Sequence, residues 1–399
     1  MTQFISATRT ESGLIRTWLA IVVLGVGAFS IVSTELAPIG LLTPIAGDLG
    51  RSEAAIGLTV TAYAWIGAVS ALLSTLWLGK IPRKPLMIGL MLGLAISNGV
   101  AMASNAFPML LGARVIGAVF HGLFWAMIGA LAAQIAPARH VGLATSIVFG
   151  GVSAASVLGV PLAALIGQSE GWRVSFGAIG TLCFAAALAM AALIPSVEAE
   201  APVGRQALTE VLRRGDLRGI YLATAFAVTA HFAAFTFIEP FLSTTAHVSG
   251  SMVAIMLFSF GAAGLIGNVL TGFFIDKYLK PVLALALIAM STALIGLALF
   301  GEGLAVGALM AMVVLWGAAI AIIFVGFQAW ILRIAGEAAL PASAIYVSIF
   351  NAAIGTGAMV GAWILSHAGL LGLLGLAGAG GVISIGLIAL CKAPSRSES

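Results

Sequence analysis

Apolar runs long enough to cross a lipid bilayer follow one another through almost the whole of this 399-residue chain. A hydrocarbon core about 30 Å thick needs about 20 apolar residues per helical crossing. Runs of that order lie near 17–42, 54–79, 86–105, 108–136, 141–167 and 173–195, and again near 217–242, 252–275, 281–300, 304–333, 343–366 and 370–391. Inside lipid every backbone N–H and C=O must find its partner within the protein, so a crossing is a helix or a barrel strand. These runs are too long for strands and lack their alternation. Charged residues make up only 8% of the chain, against about 25% in soluble domains. The expected fold is therefore an all-α membrane protein with twelve transmembrane helices.

The positive charges set an orientation. With the N-terminus inside, the inner segments hold Arg9, Arg16, Lys80, Arg83, Lys84, Arg139, Arg205, Arg213, Arg214, Arg218, Lys277, Lys280, Arg333, Lys392 and Arg396. The outer loops hold Arg51 and Arg173, and Arg114 lies within a run. Both termini are thus expected on the cytoplasmic side. The formal net charge of +4 reads as a topology signal, with no nucleic-acid partner implied. Arg9 and Arg16 precede an apolar stretch too long for the core of a cleaved signal, which spans about 7–15 residues.

One long polar segment, "IPSVEAEAPVGRQALTEVLRRGDLRG" at 194–219, divides the runs six and six. The expected organisation is an N-terminal six-helix bundle over 1–195, a cytoplasmic linker over 196–216 and a C-terminal six-helix bundle over 217–399. Within the linker "RQALTEVLRR" has the pattern of a short amphipathic helix on the inner membrane face, or of a solvated connector. The halves echo each other: "STELAPIGLL" and "FIEPFLSTT" each set a glutamate beside a proline near the outer end of the first run of a half. "GKIPRKPL" and "GFFIDKYLKP" are basic loops between the second and third runs. Two pseudo-symmetric bundles of this kind are a transporter layout.

Polar groups inside these runs carry the functional argument. Glu35 lies 17 residues after Trp18, roughly 25 Å along a helix at 1.5 Å per residue, which places it in the outer half of the membrane. A carboxylate in lipid costs about 2.5–3.5 kcal/mol on insertion scales. A structural role or a wet rim is one reading. The other is a cavity-facing proton carrier, because removal from water favours the neutral form. Arg114 and His121 are seven apart and share a helix face. His121, near mid-membrane, is either a packing residue or a proton site. His231 and Glu239 are eight apart on one expected helix, with Glu239 near the outer surface and His231 near the midplane. Asn351, Gln328, Tyr63, Trp65 and Trp125 are further candidate substrate contacts. Amides and aromatic rings suit a sugar as well as a drug. Gly355, Gly357 and Gly361 allow close helix approach. In "FGGVSAASVLGVPLAALIG", Gly159 and Pro161 suit a bending helix, or packing alone.

No phosphate-binding Gly-Lys-Ser/Thr loop is present, so ATP is not expected to drive the cycle. No nucleophile–base set or metal-ligand spacing occurs, so the chain is not expected to be an enzyme. The only cysteines, Cys183 and Cys391, lie far apart in the chain.

The chain as a whole resembles the major facilitator superfamily. The signature loop of that family is kept in the second half at Gly272, Asp276 and Lys277, with Lys280 following. The first half departs from it, with Gly79 where Asp is usual and Lys80 where Arg is usual, although Arg83 and Lys84 remain. A narrower resemblance is carried by "STELAPIGLLTPIAGDLG", "ARVIGAVFHGLFWAMIGALAAQIAP", "LGVPLAALIGQSEGWRVSF", "TAHFAAFTFIEPFL" and "IFNAAIGTGAMVGAW". These look like the twelve-span drug:proton antiporters of bacteria, and most like their sugar-efflux (arabinose-efflux-like) members. Arg114 stands where the family's fourth-span motif begins, but Gly117-Ala118 replace its usual Gln-Gly.

The resemblance implies proton-coupled efflux of a small organic solute, sugar or drug, by alternating access. A facilitator or importer of the same fold stays open. It implies a monomer in the bacterial inner membrane, with protons as coupling ion and no other cofactor. In this reading Glu35, His121 and Arg114 couple the proton. His231, Glu239, Asn351, Gln328, Tyr63 and Trp125 contact substrate. Gly272, Asp276, Lys277, Arg83 and Lys84 form the gating loops.

Overall fold

The computed structural model describes residues 2–77, 81–137, 140–197 and 205–391, with the side chains of 2–13 and of several helical positions outside the description. The elements are helices: α1 (Thr2–Leu36), α2 (Leu42–Leu49), α3 (Glu53–Trp77), α4 (Arg83–Met102), α5 (Phe107–Ile135), α6 (Val141–Ser169) and α7 (Trp172–Leu193). After the polar segment come α8 (Arg205–Arg213), α9 (Gly215–Phe235), the single turn α10 (Ile238–Pro240), α11 (Gly250–Phe300), α12 (Val306–Ala335) and α13 (Ala339–Leu390).

Two of these are too long for one crossing. At 1.5 Å per residue a helix of 51 or 52 residues would run to about 75 Å. Each is in fact broken. Tyr278 leaves helical geometry in α11 (φ −129°, ψ 35°) just before Pro281, where the proline ring removes a donor and crowds the preceding turn. Gly369 breaks α13 at φ 68°, ψ −175°, a conformation that a side chain would forbid. Eleven segments are long and apolar enough to span a membrane, and the last of them, Pro341–Leu390, contains the Gly369 break. The described residues thus make twelve crossings in an all-helical fold.

Boundaries match the apolar runs except at the end of the first, where α1 stops at Leu36 instead of continuing to 42, and in the seventh. A single helix over 217–242 is expected there, but α9 stops at Phe235 and Glu239 stands on the separate turn α10. His231 and Glu239 therefore do not share one helix face. A π-helical turn, Phe241–Thr245, follows.

Alternation of the crossings places Arg16, Arg83, Lys84, Arg214, Arg218, Lys277, Lys280 and Arg333 at one end of the bundle, called the basic end below. Arg51 and Arg173 lie at the opposite end. There Arg173 pairs with Asp48 at 2.7 Å and donates to the carbonyl of Ser104. At the basic end, Arg214 donates to the carbonyls of Ile334 and Ala335. α8 forms where the linker sequence predicts a short helix. It is not a free connector, because Val211 is buried and Leu208 packs on the core beside α13.

In the first half α1 packs on α6, α3 on α5, and α4 on α7; in the second, α9 packs on α13 and α11 on α12. Contacts between the halves run from α3 to α13 and from α6 to α11. Glycines set these distances. A Cβ at Gly361 would stand 2.6 Å from the carbonyl oxygen of Ala233, and one at Gly357 2.6 Å from that of Thr229. Hydrogen bonds bridge the halves from Trp65 Nε1 to the Ala352 carbonyl (3.1 Å), and at the opposite end from Gln168 to the Gly250 carbonyl (2.8 Å). Large apolar side chains such as Phe273, Leu285 and Ile96 are 74%, 68% and 65% exposed, the outward apolar surface that a lipid environment demands.

Candidate functional site

The site begins where α1 ends. Pro38 carries no N–H, so it cannot donate to the carbonyl of Thr34 four residues earlier. The helix stops at Leu36 and a 3-10 turn, Ala37–Gly40, follows. Arg114, from α5, supplies the missing donors. Its Nη1 donates to the carbonyl of Thr34 and its Nη2 to that of Glu35 at 2.9 Å. The guanidinium also lies over the ring of Tyr63, 4.0 Å from its centroid, a favourable cation–π arrangement. Arg114 is 2% exposed, so it does not reach to the membrane surface.

This use of Arg114 leaves the carboxylate of Glu35 to another partner. Glu35 Oε2 stands 3.6 Å from His121 Nε2, an ion-pair distance if the imidazole is protonated and too long for a hydrogen bond. Glu35 Oε1 has no hydrogen-bond partner, and the His121 ring has the backbone of Ile31 near it without a well-formed hydrogen bond. Both residues are buried. His121 lies edge-on to Tyr63, ring centroids 5.1 Å apart, and to Trp125 at 6.3 Å. Buried polar groups without partners are uncommon and call for an explanation.

Around this cluster stand residues that sequence reasoning missed. Asn98, on α4, donates to Thr34 Oγ1 at 3.1 Å and to the Leu94 carbonyl, while its own Oδ1 is unpartnered. Ser33 faces Gly159, where a Cβ would meet Ser33 Oγ at 2.8 Å. The only sequence cue to Asn98 was an amide inside an apolar run. Gly159 thus brings α6 against α1, and α6 continues through Pro161 as one helix.

The other candidates disperse. Glu239 Oε2 accepts from the backbone N–H of Thr43 at 2.9 Å, while the Thr43 hydroxyl donates to Glu53 at 2.9 Å. Glu239 is only 6% exposed and joins the halves at the opposite end. Gln328 donates to Ser343 Oγ at 2.9 Å, and Asn351 to the Val347 carbonyl of its own helix. Tyr63 is fully buried against Arg114 and His121. Arg83 is buried at the start of α4, where its backbone N–H donates to Val197, and Lys84 follows it. Lys277 is exposed beside Tyr278. Gly79 and Lys80 lie outside the described residues, as do the side-chain surroundings of Gly272 and Asp276.

His231 lines a separate cavity between α6 of the first half and α9, α11 and α12 of the second. Its empty volume is about 830 Å³, open solvent at the mouth included. Phe232, Phe235, Phe260 and Phe324 share the wall, and Leu36, next to Glu35, reaches it from α1. Of the residues singled out for substrate, His231 alone lines this cavity. Among the described residues no group of His, Cys, Asp and Glu is arranged to hold a metal ion.

Solved structures share the fold. A bacterial homologue of the human lysosomal transporter Spinster, in an inward-facing and unoccupied conformation, superposes with a TM-score of 0.73 at 16% identity, covering 94% of this chain and 95% of that one. The human organic anion transporter MFSD10 (TETRAN) gives 0.66 at 18% identity, covering 94% and 99%. The inward-facing, occupied Spinster homologue gives 0.69 at 16% identity, with 94% and 95% covered. The profile of the Major Facilitator Superfamily matches residues 17–339. Twelve apolar crossings, a buried polar cluster at the end of the first helix and a match over most of the chain make this protein a member of the Major Facilitator Superfamily, a multi-pass membrane transporter.

Proposed function

We propose that the chain exchanges a small organic solute, a drug or a sugar, for protons, and that Glu35 carries the proton. The observation that supports this is the arrangement of charges at the end of α1. The guanidinium of Arg114 is hydrogen-bonded to two backbone carbonyls and acts on the Glu35 carboxylate only through space, while the imidazole of His121 stands at ion-pair distance, 3.6 Å. A buried carboxylate hydrogen-bonded by a permanent cation would stay ionised. One that faces a titratable ring can gain and lose a proton as its surroundings alternate between dry and wet. Protonation removes the charge that burial penalises, and exposure to water restores it.

In this reading the first-half bundle (1–195) and the second-half bundle (217–399) rock against each other about the polar linker at 196–216. The latch between Thr43 and Glu239 holds the opposite end shut. The basic end faces the cytoplasm of a bacterial inner membrane and the protein acts as a monomer. Protons entering from outside drive efflux.

The test is pH-gradient-driven exchange in reconstituted vesicles. Glu35→Gln keeps the shape and removes the titration. It is expected to abolish gradient-driven uptake into inverted vesicles while solute equilibration continues. Full gradient-driven exchange by Glu35→Gln sinks the assignment. Transport by the unaltered protein that ignores the gradient indicates a facilitator instead.

A further inference from the structure

The cavity around His231 defines a ligand chemistry. Trp316 Nε1 donates to His231 Nδ1 at 3.0 Å. An indole nitrogen can only donate, so Nδ1 must accept, and the ring proton of the neutral imidazole sits on Nε2. His231 is 2% exposed and lines the cavity. Among the described residues Nε2–H donates to no protein acceptor, so it is the ring's one donor left for a molecule in the cavity that His231 lines. The ring is fixed by its neighbours. It stacks on Phe235 at 5.1 Å and 19°, and meets Trp316 edge-on at 5.5 Å. Phe235 stacks on Phe260 at 4.7 Å, and Phe324 stands 5.7 Å from the imidazole.

The wall is otherwise mostly apolar and carries no formal charge. No Asp, Glu, Lys or Arg lines the cavity; besides His231 its polar side chains are Ser153, Ser156 and Asn268. Both serines already donate to carbonyls of their own helix, those of Phe149 and Val152. A sugar placed here would leave most of its hydroxyls unpaired, which burial penalises. An organic cation would find rings but no counter-charge on the wall. Flat π-surfaces, the His231 N–H and the unpartnered Oδ1 of Asn268 suit a different molecule.

We infer that this cavity binds an uncharged, planar aromatic molecule that carries a hydrogen-bond acceptor, with the rings of Phe235, Phe260 and Phe324 against its faces and edges and His231 Nε2–H on its acceptor. The inference rests on the transport reading above and narrows its substrate class to neutral aromatic compounds. Leu36 touches the cavity immediately beside Glu35, so the occupant sits one residue from the proposed proton carrier.

The experiment is equilibrium dialysis of the purified full chain with radiolabelled coumarin, which is neutral, planar and bears a carbonyl acceptor. Tetraphenylphosphonium and L-arabinose serve as competitors. Coumarin is expected to bind saturably, and neither competitor to displace it at equal concentration. His231→Phe and Phe324→Ala are each expected to weaken binding about tenfold, the equivalent of one hydrogen bond or one ring contact. His231→Phe leaves the Trp316 N–H unpaired, so if that variant does not fold, Phe324→Ala decides. Absence of saturable binding, displacement by the cation or the sugar, or unchanged affinity in either folded variant overturns the inference. The measurement uses no pH gradient and is repeated on Glu35→Gln. Failure here with gradient-driven exchange intact therefore removes the substrate class and leaves the coupling reading standing.

Discussion

Arg114 donates to the carbonyl of Thr34, the group that Pro38 leaves without a helix partner. The two residues are 76 positions apart and complete one helix terminus between them. Without Arg114 two buried carbonyls lose their donors, at about 1–3 kcal/mol each. Arg114→Ala is therefore expected to lower thermal stability in detergent. Pro38→Ala restores an N–H to the chain and should recover part of that loss. A double-mutant cycle read by melting temperature checks this; additive effects of the two substitutions count against it.

Glu35 and His121 form one unit if the proton passes between them. Residues acting as a unit show non-additive losses. Glu35→Gln, His121→Gln and the double variant should then share the same loss of gradient-driven exchange, with little change in melting temperature. A double variant clearly worse than either single one would show that the two act separately.

The Thr43–Glu239 bond joins the two halves at the end opposite the basic loops, where the proposed cycle needs a latch. A hydrogen bond to a charged group contributes about 1.5–3 kcal/mol, so Glu239→Ala should shift the open-to-closed ratio at least about tenfold. Labelling of Leu36→Cys by a membrane-impermeant thiol reagent, applied from that end, reads the shift. Labelling is expected to accelerate in the Glu239→Ala background, and an unchanged rate would assign the latch elsewhere.

Gly361 is where α13 lies against the Ala233 carbonyl of α9, 2.6 Å from the place a Cβ would occupy. Backbone cannot yield as a flexible side chain does. Gly361→Leu should destabilise the second half by about 1–3 kcal/mol or more through overpacking. Gly386, with nothing within 4 Å, is the control site for the same substitution. Equal melting temperatures for the two variants would contradict the packing argument.

The expected twelve crossings and the ends of most helices were legible because membrane insertion is a local constraint. A backbone in lipid must bond to itself, and apolar length follows directly from bilayer thickness. Glu35, Arg114 and His121 stood out for the same reason, as polar groups where lipid excludes them. The seventh crossing misled, because "FIEPFL" is apolar enough to extend a helix. Hydropathy cannot detect the break after Phe235, where α9 gives way to the separate turn carrying Glu239.

The chain by itself determined class, number of crossings, charge asymmetry and the short list of buried polar residues. Tertiary structure alone decided their partners. It sent Arg114 to the two carbonyls left open at the end of α1, left the Glu35 carboxylate facing His121, and moved Glu239 from the side of His231 to Thr43. It also gathered Phe235, Phe260, Trp316 and Phe324 around one imidazole. The physical reason is range. Hydrophobicity and helix geometry act over neighbouring residues, whereas a hydrogen bond between α1 and α5, or a cavity wall shared by five helices, depends on which faces meet once the helices pack.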